Sequence, residues 1–348
     1  TPNVSKTPDS APSLSQAYQV NKVTESSFVG KNTVNMVENH SFETNTGTGA
    51  YKWWLSDWGN PDSGISIRYD AAGYQGKNAA KLTVPNKSDE FIGFANDVAH
   101  PDANKTYTLS AYVKTENVSG EGANLNVYMQ KTDGSVQVVS SEKISGNSLG
   151  WQRLSVTFTT PSNIEWVHVY AGLTNASGTV YADCFQVEEG STPSPYNLVQ
   201  NGGFELNNSY WSGSQLEGSD MTTLDEKLEG HKAFQIKGNQ DKNKFLMQTI
   251  PINTANNDER SFIVSGWAKA SATFQQSGRA LSIAIELKNA TESTWIPSVG
   301  FDWDQEEWQF VSKAFNVPAG KNYDTLNIYL CYYQDVGNVF FDNIQVLQ

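Results

Sequence analysis

The chain has 348 residues, with 24 Lys and Arg against 37 Asp and Glu, a formal net charge of -13 and a pI near 4.8. That balance argues against a non-specific grip on nucleic acid or on an anionic membrane, and no run of about 18 apolar residues is present to span a bilayer. Length alone suggests two or three domains.

Residues 1–34 begin without Met or a signal peptide, as expected of a processed protein or an excised fragment. Within them 1–16 are Pro/Ser/Thr-rich without an apolar period and read as a disordered linker. Residues 17–34 hold short alternating pieces such as Tyr18-Gln19-Val20, read as one added strand or the remnant of an upstream module.

From residue 35 the chain states one pattern twice. Asn35-Met36-Val37-Glu38-Asn39-His40-Ser41-Phe42-Glu43 returns as Asn197-Leu198-Val199-Gln200-Asn201-Gly202-Gly203-Phe204-Glu205. Ser110 to Lys114 matches Ser265 to Lys269, Trp151-Gln152 matches Trp308-Gln309, and Gly178 to Asp183 matches Gly337 to Asp342. A repeat of this length sets the domain count: two domains, 35–190 and 196–348, each long enough for its own core. A short polar, Pro-containing joint around Glu189 to Pro195 separates them.

Each copy alternates with period two, as strands with one buried face do. In copy one, Tyr107, Leu109, Ala111 and Val113 alternate with Thr108, Ser110, Tyr112 and Lys114. Leu125, Val127 and Met129 alternate with Asn124, Asn126, Tyr128 and Gln130, and Val167, Val169 and Ala171 with Trp166, His168 and Tyr170. In copy two, Phe262, Val264, Gly266 and Ala268 stand against Ile263, Ser265 and Trp267. Leu281, Ile283, Ile285 and Leu287 stand against Ser282, Ala284 and Glu286, and Leu326, Ile328 and Leu330 against Asn327, Tyr329 and Cys331. No segment holds a helical period. The fold class is all-β, two tandem sandwiches or jelly rolls. Cys184 and Cys331 fall at non-equivalent places of different copies, which points to reduced, partly buried thiols rather than a bridge.

If the aliphatic positions face inward, the outer face presents Tyr112, Asn126, Tyr128, His168 and Tyr170 in copy one. Copy two presents Trp267, Glu286, Asn327 and Tyr329. Aromatics interleaved with amides suit a surface that stacks on something flat and hydrogen-bonds its edges; the plainer alternative is cross-strand pairing.

Each copy resembles the galactose-binding-like β-sandwich of carbohydrate-binding modules, especially the groups numbered 4, 9 and 22. The Asn-x-x-x-Asn-x-x-Phe-Glu openings carry the resemblance, together with the closings Tyr181-Ala182-Asp183-Cys184-Phe185-Gln186-Val187 and Phe341-Asp342-Asn343-Ile344-Gln345-Val346. It implies a structural calcium in each domain, held by Glu43 with Asp183 and by Glu205 with Asp342. Hard Ca²⁺ takes several oxygens, so backbone carbonyls would complete the shell. The alternative is that each carboxylate accepts backbone N–H bonds at a strand end.

For a glycan, copy one offers Trp53, Trp54 and Trp58, then Tyr69 and Tyr74. Copy two offers Tyr210 and Trp211, with Trp295, Phe301 and Trp303 in a later insertion. A sugar ring presents an apolar C–H face to an aromatic plane, while its hydroxyls take polar side chains. Of these, the unshared Trp58, Trp295 and Trp303 are the stronger candidates; Trp54 and Trp211 are also taken as ligand-binding, although Trp54 or Trp53 aligns with Trp211 and a partly structural role is the alternative for that pair. Trp151 and Trp308, each just ahead of a strand, are expected to plug the core. Aligning the copies on sequence sets Tyr128 against Ala284 and Gln130 against Glu286.

An enzyme is not expected. Glycoside hydrolysis needs two facing carboxylates, and no Gly-x-Ser-x-Gly elbow, phosphate loop or His-Glu-x-x-His motif occurs. The reading is a secreted, extracellular or surface-attached monomer that binds polysaccharide through tandem modules and delivers a larger protein to it, with no nucleic-acid or membrane partner. The rival is a structural spacer or adhesion module without sugar binding.

Overall fold

The computed structural model describes residues 34–57, 64–252, 259–271, 281–302 and 306–348. The expectations for 1–33, Trp58 and Trp303 lie outside the described residues. Residues 35–194 and 195–348 form two compact units, and the regular elements described in both are strands.

The first unit contains β1 (Trp54–Ser56), β2 (Ser66–Ala72), β3 (Asn78–Val84), β4 (Phe91–Asp97), β5 (Thr106–Lys131), β6 (Val136–Ser140), β7 (Ile144–Gly146), β8 (Gln152–Thr159) and β9 (Ile164–Glu189). The second contains β10 (Ser212–Ser214), β11 (Met221–Thr223), β12 (Ala233–Lys237), β13 (Asn243–Pro251), β14 (Arg260–Ser271), β15 (Leu281–Lys288), β16 (Ser293–Gly300), β17 (Gln309–Val317), β18 (Thr325–Tyr333) and β19 (Asn338–Leu347).

Two antiparallel layers build each unit. In the second unit they are separate sheets: a front sheet, β10-β13-β18-β15-β16, and a back sheet, β11-β12-β19-β14-β17. In the first unit the 26-residue strands β5 and β9 run through both layers. The later half of β5 pairs β6 and the earlier half of β9, which pairs β4 and then β1, giving the front layer. The earlier half of β5 pairs β8 and the later half of β9, which pairs β3 and then β2, giving the back layer. The crossing from one layer to the other needs backbone freedom. Gly120 and Gly178 supply it, with φ of +117° and +125°, and a Cβ on either would fall 2.2 or 2.6 Å from a carbonyl oxygen of the neighbouring strand.

The core lies between the layers. Leu125, Val127, Met129, Val167, Val169 and Ala171 from the front meet Leu109, Ala111, Val113, Val180, Ala182 and Val187 from the back, all buried. Each large aliphatic contributes about 1.5–3 kcal/mol by leaving water. The inward face therefore follows the alternation, while several residues on the side expected to face solvent are covered. Ile263, on the side expected to face solvent, is fully buried with Leu347, and Phe310 and Ala314 pack against the pair. A small apolar cluster covers that part of the back sheet.

The repeated opening motif proves to be a fastening. Asn35 Oδ1 accepts from Val37 N and Val187 N, both at 3.1 Å, and Asn197 Oδ1 accepts from Val199 N and Val346 N at 3.0 and 3.1 Å. One side-chain amide thus does the work of a strand pairing and ties the start of each domain to its last strand. The second Asn clamps the next loop. Asn39 Nδ2 donates to the carbonyls of Thr44 and Tyr51, and Asn201 Nδ2 to those of Asn207 and Ser209. Phe42 and Phe204 sit buried in the left-handed region, at φ of 59° and 57°. Both cysteines are free and buried.

Candidate functional site

The front sheet of the second domain carries a polar network beside an aromatic platform. Strand register places Trp295, Glu286, Asn327 and Thr249 in one row across β16, β15, β18 and β13. Glu286 is the hub. Its carboxylate accepts from Ser293 Oγ at 2.6 Å, Asn327 Nδ2 at 2.9 Å and Tyr329 Oη at 2.9 Å, and Asn327 Oδ1 accepts from Thr249 Oγ1 at 2.8 Å. Desolvation alone would raise the Glu286 pKa. The three donors outweigh it and hold the group below its ordinary range, while burial and the Glu286 charge push the Tyr329 hydroxyl up to about 12. Glu286 is therefore an ionised acceptor at neutral pH. Trp295 is 57% exposed, with its ring 5.1 Å from Tyr329, and Phe245 meets Tyr329 edge-on at 5.3 Å.

The equivalent lattice in the first domain is fixed by a shared anchor. Trp53 and Trp211 are both buried, and each donates its indole N–H to the carbonyl of the motif asparagine, Asn39 or Asn201. Counting registers outward from them sets Trp54 against Ser212, Ala95 against Met247, Tyr170 against Tyr329 and Asn126 against Ala284. Tyr128 then matches Glu286, His168 matches Asn327, and Gln130 matches Lys288. The sequence alignment that set Tyr128 against Ala284 was two residues out of register; loop length differences hid the offset.

On this face the polar hub is replaced by stacked rings. Trp166 stacks on His168 at 3.8 Å, Trp54 meets His168 edge-on at 5.1 Å, and Tyr128 leans on Tyr170 at 4.6 Å. Tyr170 and Asn126 are buried beneath their neighbours. His168 Nε2 lies 2.7 Å from Asp97 Oδ1. Burial lowers the His168 pKa, against the raising pull of Asp97. At the edge, Val136 and Val138 of β6 expose 46% of their surface each. Trp166 was missed as a site residue, although it belongs to the alternation that brings out His168 and Tyr170. Asp97, Val136, Val138, Phe245 and Thr249 had no such signal, because only strand pairing puts them here.

Several expected site residues lie elsewhere. Tyr112 and Trp267 point outward from the back sheet, each paired across a bulge with the motif aspartate, Asp183 or Asp342. Tyr112 stacks on Tyr74 at 3.7 Å and Trp267 packs on Phe310 at 5.3 Å. They face away from Tyr128 and Tyr329 because β5 has changed layers between Tyr112 and Tyr128, as the chain has between β14 and β15. Trp211 is a core residue against Phe204, as are Trp53, Tyr69 and Phe301. Trp151 does the reverse of what was expected. It stays half-buried on the back sheet, edge-on to Tyr74 and Tyr181 and beneath the Lys114 ammonium, and Trp308 is likewise half-buried.

The paired carboxylates converge on one loop in each domain. Asp183 is fully buried and accepts from the amides of Tyr74, Gln75 and Cys184. Glu43 Oε1 accepts from Lys77 N and Asn78 N, and Oε2 from Asn78 Nδ2. Burial raises both pKa values, and the charge of Glu43 raises that of Asp183 further. In the second domain Asp342 accepts from Leu228, Glu229 and Asn343 amides, and Glu205 from those of His231 and Lys232. Burial pushes Asp342 up to about 8. The described residues contain no group of three or more His, Cys, Asp and Glu able to hold a metal, so any ion here would depend on backbone oxygens as well.

The fold is that of two β-sandwich units, each with an outer face that carries aromatic and polar side chains. The family model described as a carbohydrate binding domain matches residues 34–178, nearly all of the first unit. Over 319 residues the chain is 26% identical to the tRNA nuclease WapA of Bacillus subtilis (strain 168), covering 86% of this chain and 13% of that protein. Coverage and identity are the same for the tRNA3(Ser)-specific nuclease WapA of Bacillus spizizenii. The chain thus spans a small part of the curated relatives it matches. Among solved structures, the tandem CBM22-1–CBM22-2 domain of Paenibacillus barcinonensis Xyn10C is 15% identical. It covers 91% of this chain and 98% of that one, with a TM-score of 0.37. The chain thus resembles carbohydrate-binding modules, with the family match lying on its first unit.

Proposed function

We propose that the chain binds polysaccharide through its front sheets and so directs a larger secreted or surface-attached protein to glycan. One observation carries this reading: the exposed Trp295 lies beside Tyr329 and the ionised, triply hydrogen-bonded Glu286. An apolar plane next to fixed acceptors and donors matches the two chemistries of a sugar ring, its C–H face and its equatorial hydroxyls. The network is already assembled, so little side-chain ordering opposes binding.

The first domain contributes less. Tyr170 and Asn126 are covered, and His168 is held by Asp97 and Trp166. These contacts favour a largely structural front face there, which is where the spacer reading has its support.

The carboxylate pair of the first domain fits a structural calcium. Glu43 and the fully buried Asp183 meet around one loop, and among the described residues no ammonium hydrogen-bonds either carboxylate or the neighbouring Asn45 Oδ1. When bound, Ca²⁺ would neutralise the two charges and fasten the opening segment to the last strand. The residues themselves orient the loop by accepting its amides.

Affinity electrophoresis of the full chain against soluble xylans, β-glucans and mannans, with and without calcium, tests the binding reading. We expect retardation by at least one polymer, lost roughly tenfold in affinity (about 1.4 kcal/mol) in Trp295→Ala and kept in Trp267→Ala. Absence of binding to soluble and insoluble polysaccharides alike would leave the spacer reading in its place.

A further inference from the structure

The second domain departs from the first at one residue of the carboxylate cluster. The amides that grip the motif glutamate fix the equivalence. Lys77 N and Asn78 N donate to Glu43 Oε1 at 2.7 and 3.1 Å, and His231 N and Lys232 N donate to Glu205 Oε1 at 2.8 and 3.1 Å. Lys232 therefore stands where the first domain has Asn78, and the two side chains behave differently. Asn78 Nδ2 donates to the Glu43 carboxylate at 2.9 Å. Lys232 Nζ instead donates to the backbone carbonyl of Glu205 at 3.1 Å and to Asn207 Oδ1 at 3.0 Å.

Those acceptors are a carbonyl and an amide oxygen, the neutral ligand types that a hard dication takes. Asn207 has a counterpart in Asn45, but there Oδ1 accepts from Gly47 N at 2.9 Å, and no ammonium is paired with it among the described residues. An ammonium hydrogen-bonded to both oxygens takes up acceptors a dication would need, and its charge opposes a dication at the neighbouring Glu205 and Asp342 carboxylates. The cluster of the second domain therefore does not fit a metal.

We propose that the Lys232 ammonium is the resident cation of the second domain, so that the chain takes calcium in its first domain alone. Lys232 fastens the opening segment, through Glu205 and Asn207, to the loop whose amides hold Asp342. A bound ion would make the same connection, but a lysine is lost neither to chelation nor to dilution. The first-domain half of this statement rests on the calcium reading above; the Lys232 half does not.

Isothermal titration of the metal-stripped full chain with CaCl₂ tests both halves separately. We expect one ion per wild-type chain, none in Glu43→Gln, and two in Lys232→Asn, which restores the first domain's residue. Two ions in wild type overturn the proposal, as does a folded Lys232→Asn that still takes one. If wild type takes none, the calcium reading of the first domain fails; one ion in Lys232→Asn then still supports the lysine, and none overturns it. Should Lys232→Asn not fold, Lys232→Gln takes its place. Loss of the single wild-type site in Glu43→Gln independently places that site outside the second domain.

Discussion

The two front sheets share strand order and register, yet they put different chemistry on the same lattice points. Where the second domain has Glu286, Asn327 and Tyr329 joined by hydrogen bonds, the first has Tyr128, His168 and Tyr170 joined by ring contacts. Where the second exposes Trp295, the first exposes Val138. Beneath these faces the fastenings recur, down to the indole N–H that each buried Trp gives to its motif asparagine. The differences that bear on ligands lie on this outer face and at Lys232. Scaffold positions tolerate little change because close packing penalises any loss of volume, whereas an outward side chain is free to follow its ligand.

The largest effect should come from the shared positions. Trp53→Ala and Trp211→Ala each remove a buried indole and its hydrogen bond, and should cost about 3–5 kcal/mol in their own domain, read from guanidinium unfolding of the full chain. Comparable losses would support a common scaffold; a near-neutral Trp211→Ala would break the equivalence.

A smaller and asymmetric effect is expected on the front faces. Glu286→Ala leaves the Ser293, Asn327 and Tyr329 donors short of an acceptor, a cost of about 1–3 kcal/mol for buried groups and less where water reaches them. Polysaccharide affinity should fall by roughly tenfold. Tyr128→Ala, at the matching point of the first domain, should change affinity by less than a factor of about three, under 1 kcal/mol. The reverse order in an affinity titration would move the principal site to the first domain.

The smallest difference is in pH response. The His168 pKa is lowered by burial among Trp54, Trp166, Tyr128 and Tyr170, with Asp97 opposing. A group whose folded pKa lies below its unfolded one binds more protons when unfolded. Its stabilising contribution is therefore present above the ordinary imidazole range and declines as pH falls through that range toward the folded pKa. The Glu286 pKa is lowered too, so the contribution of Glu286 stays intact until pH falls into the ordinary carboxylate range and is then lost toward its folded pKa. Between pH 7 and 5.5 the first domain's melting temperature should drop, and His168→Asn should remove His168's share of that drop. A wild-type-sized drop in His168→Asn would show that the histidine is not its source.

Much of the fold was legible because the signals were local. Alternation in 107–114 and 124–130 marked inward and outward side chains correctly, and the Asn-x-x-x-Asn-x-x-Phe-Glu openings announced two copies. The candidate site was legible only in part. Glu286, Asn327 and Tyr329 do meet, and Trp295 packs beside Tyr329. Trp211 was read as a platform and is core, because an indole beside a loop asparagine carries no mark of which way the loop folds.

What the sequence determined by itself was the class of fold, the number of domains and, for most strand residues, inside against outside. These follow from period two and from repetition, both properties of the chain alone. Which outside a residue occupies was decided only by tertiary structure. A sandwich has two outer faces, and Tyr112 and Tyr128 keep the same alternation along one continuous strand. That strand passes from the back layer to the front near Gly120, so the two tyrosines end on opposite outer faces of the first domain. The same holds for the cation of the second domain. Lys232 reads as one more surface lysine until folding brings the Glu205 carbonyl and Asn207 to its ammonium.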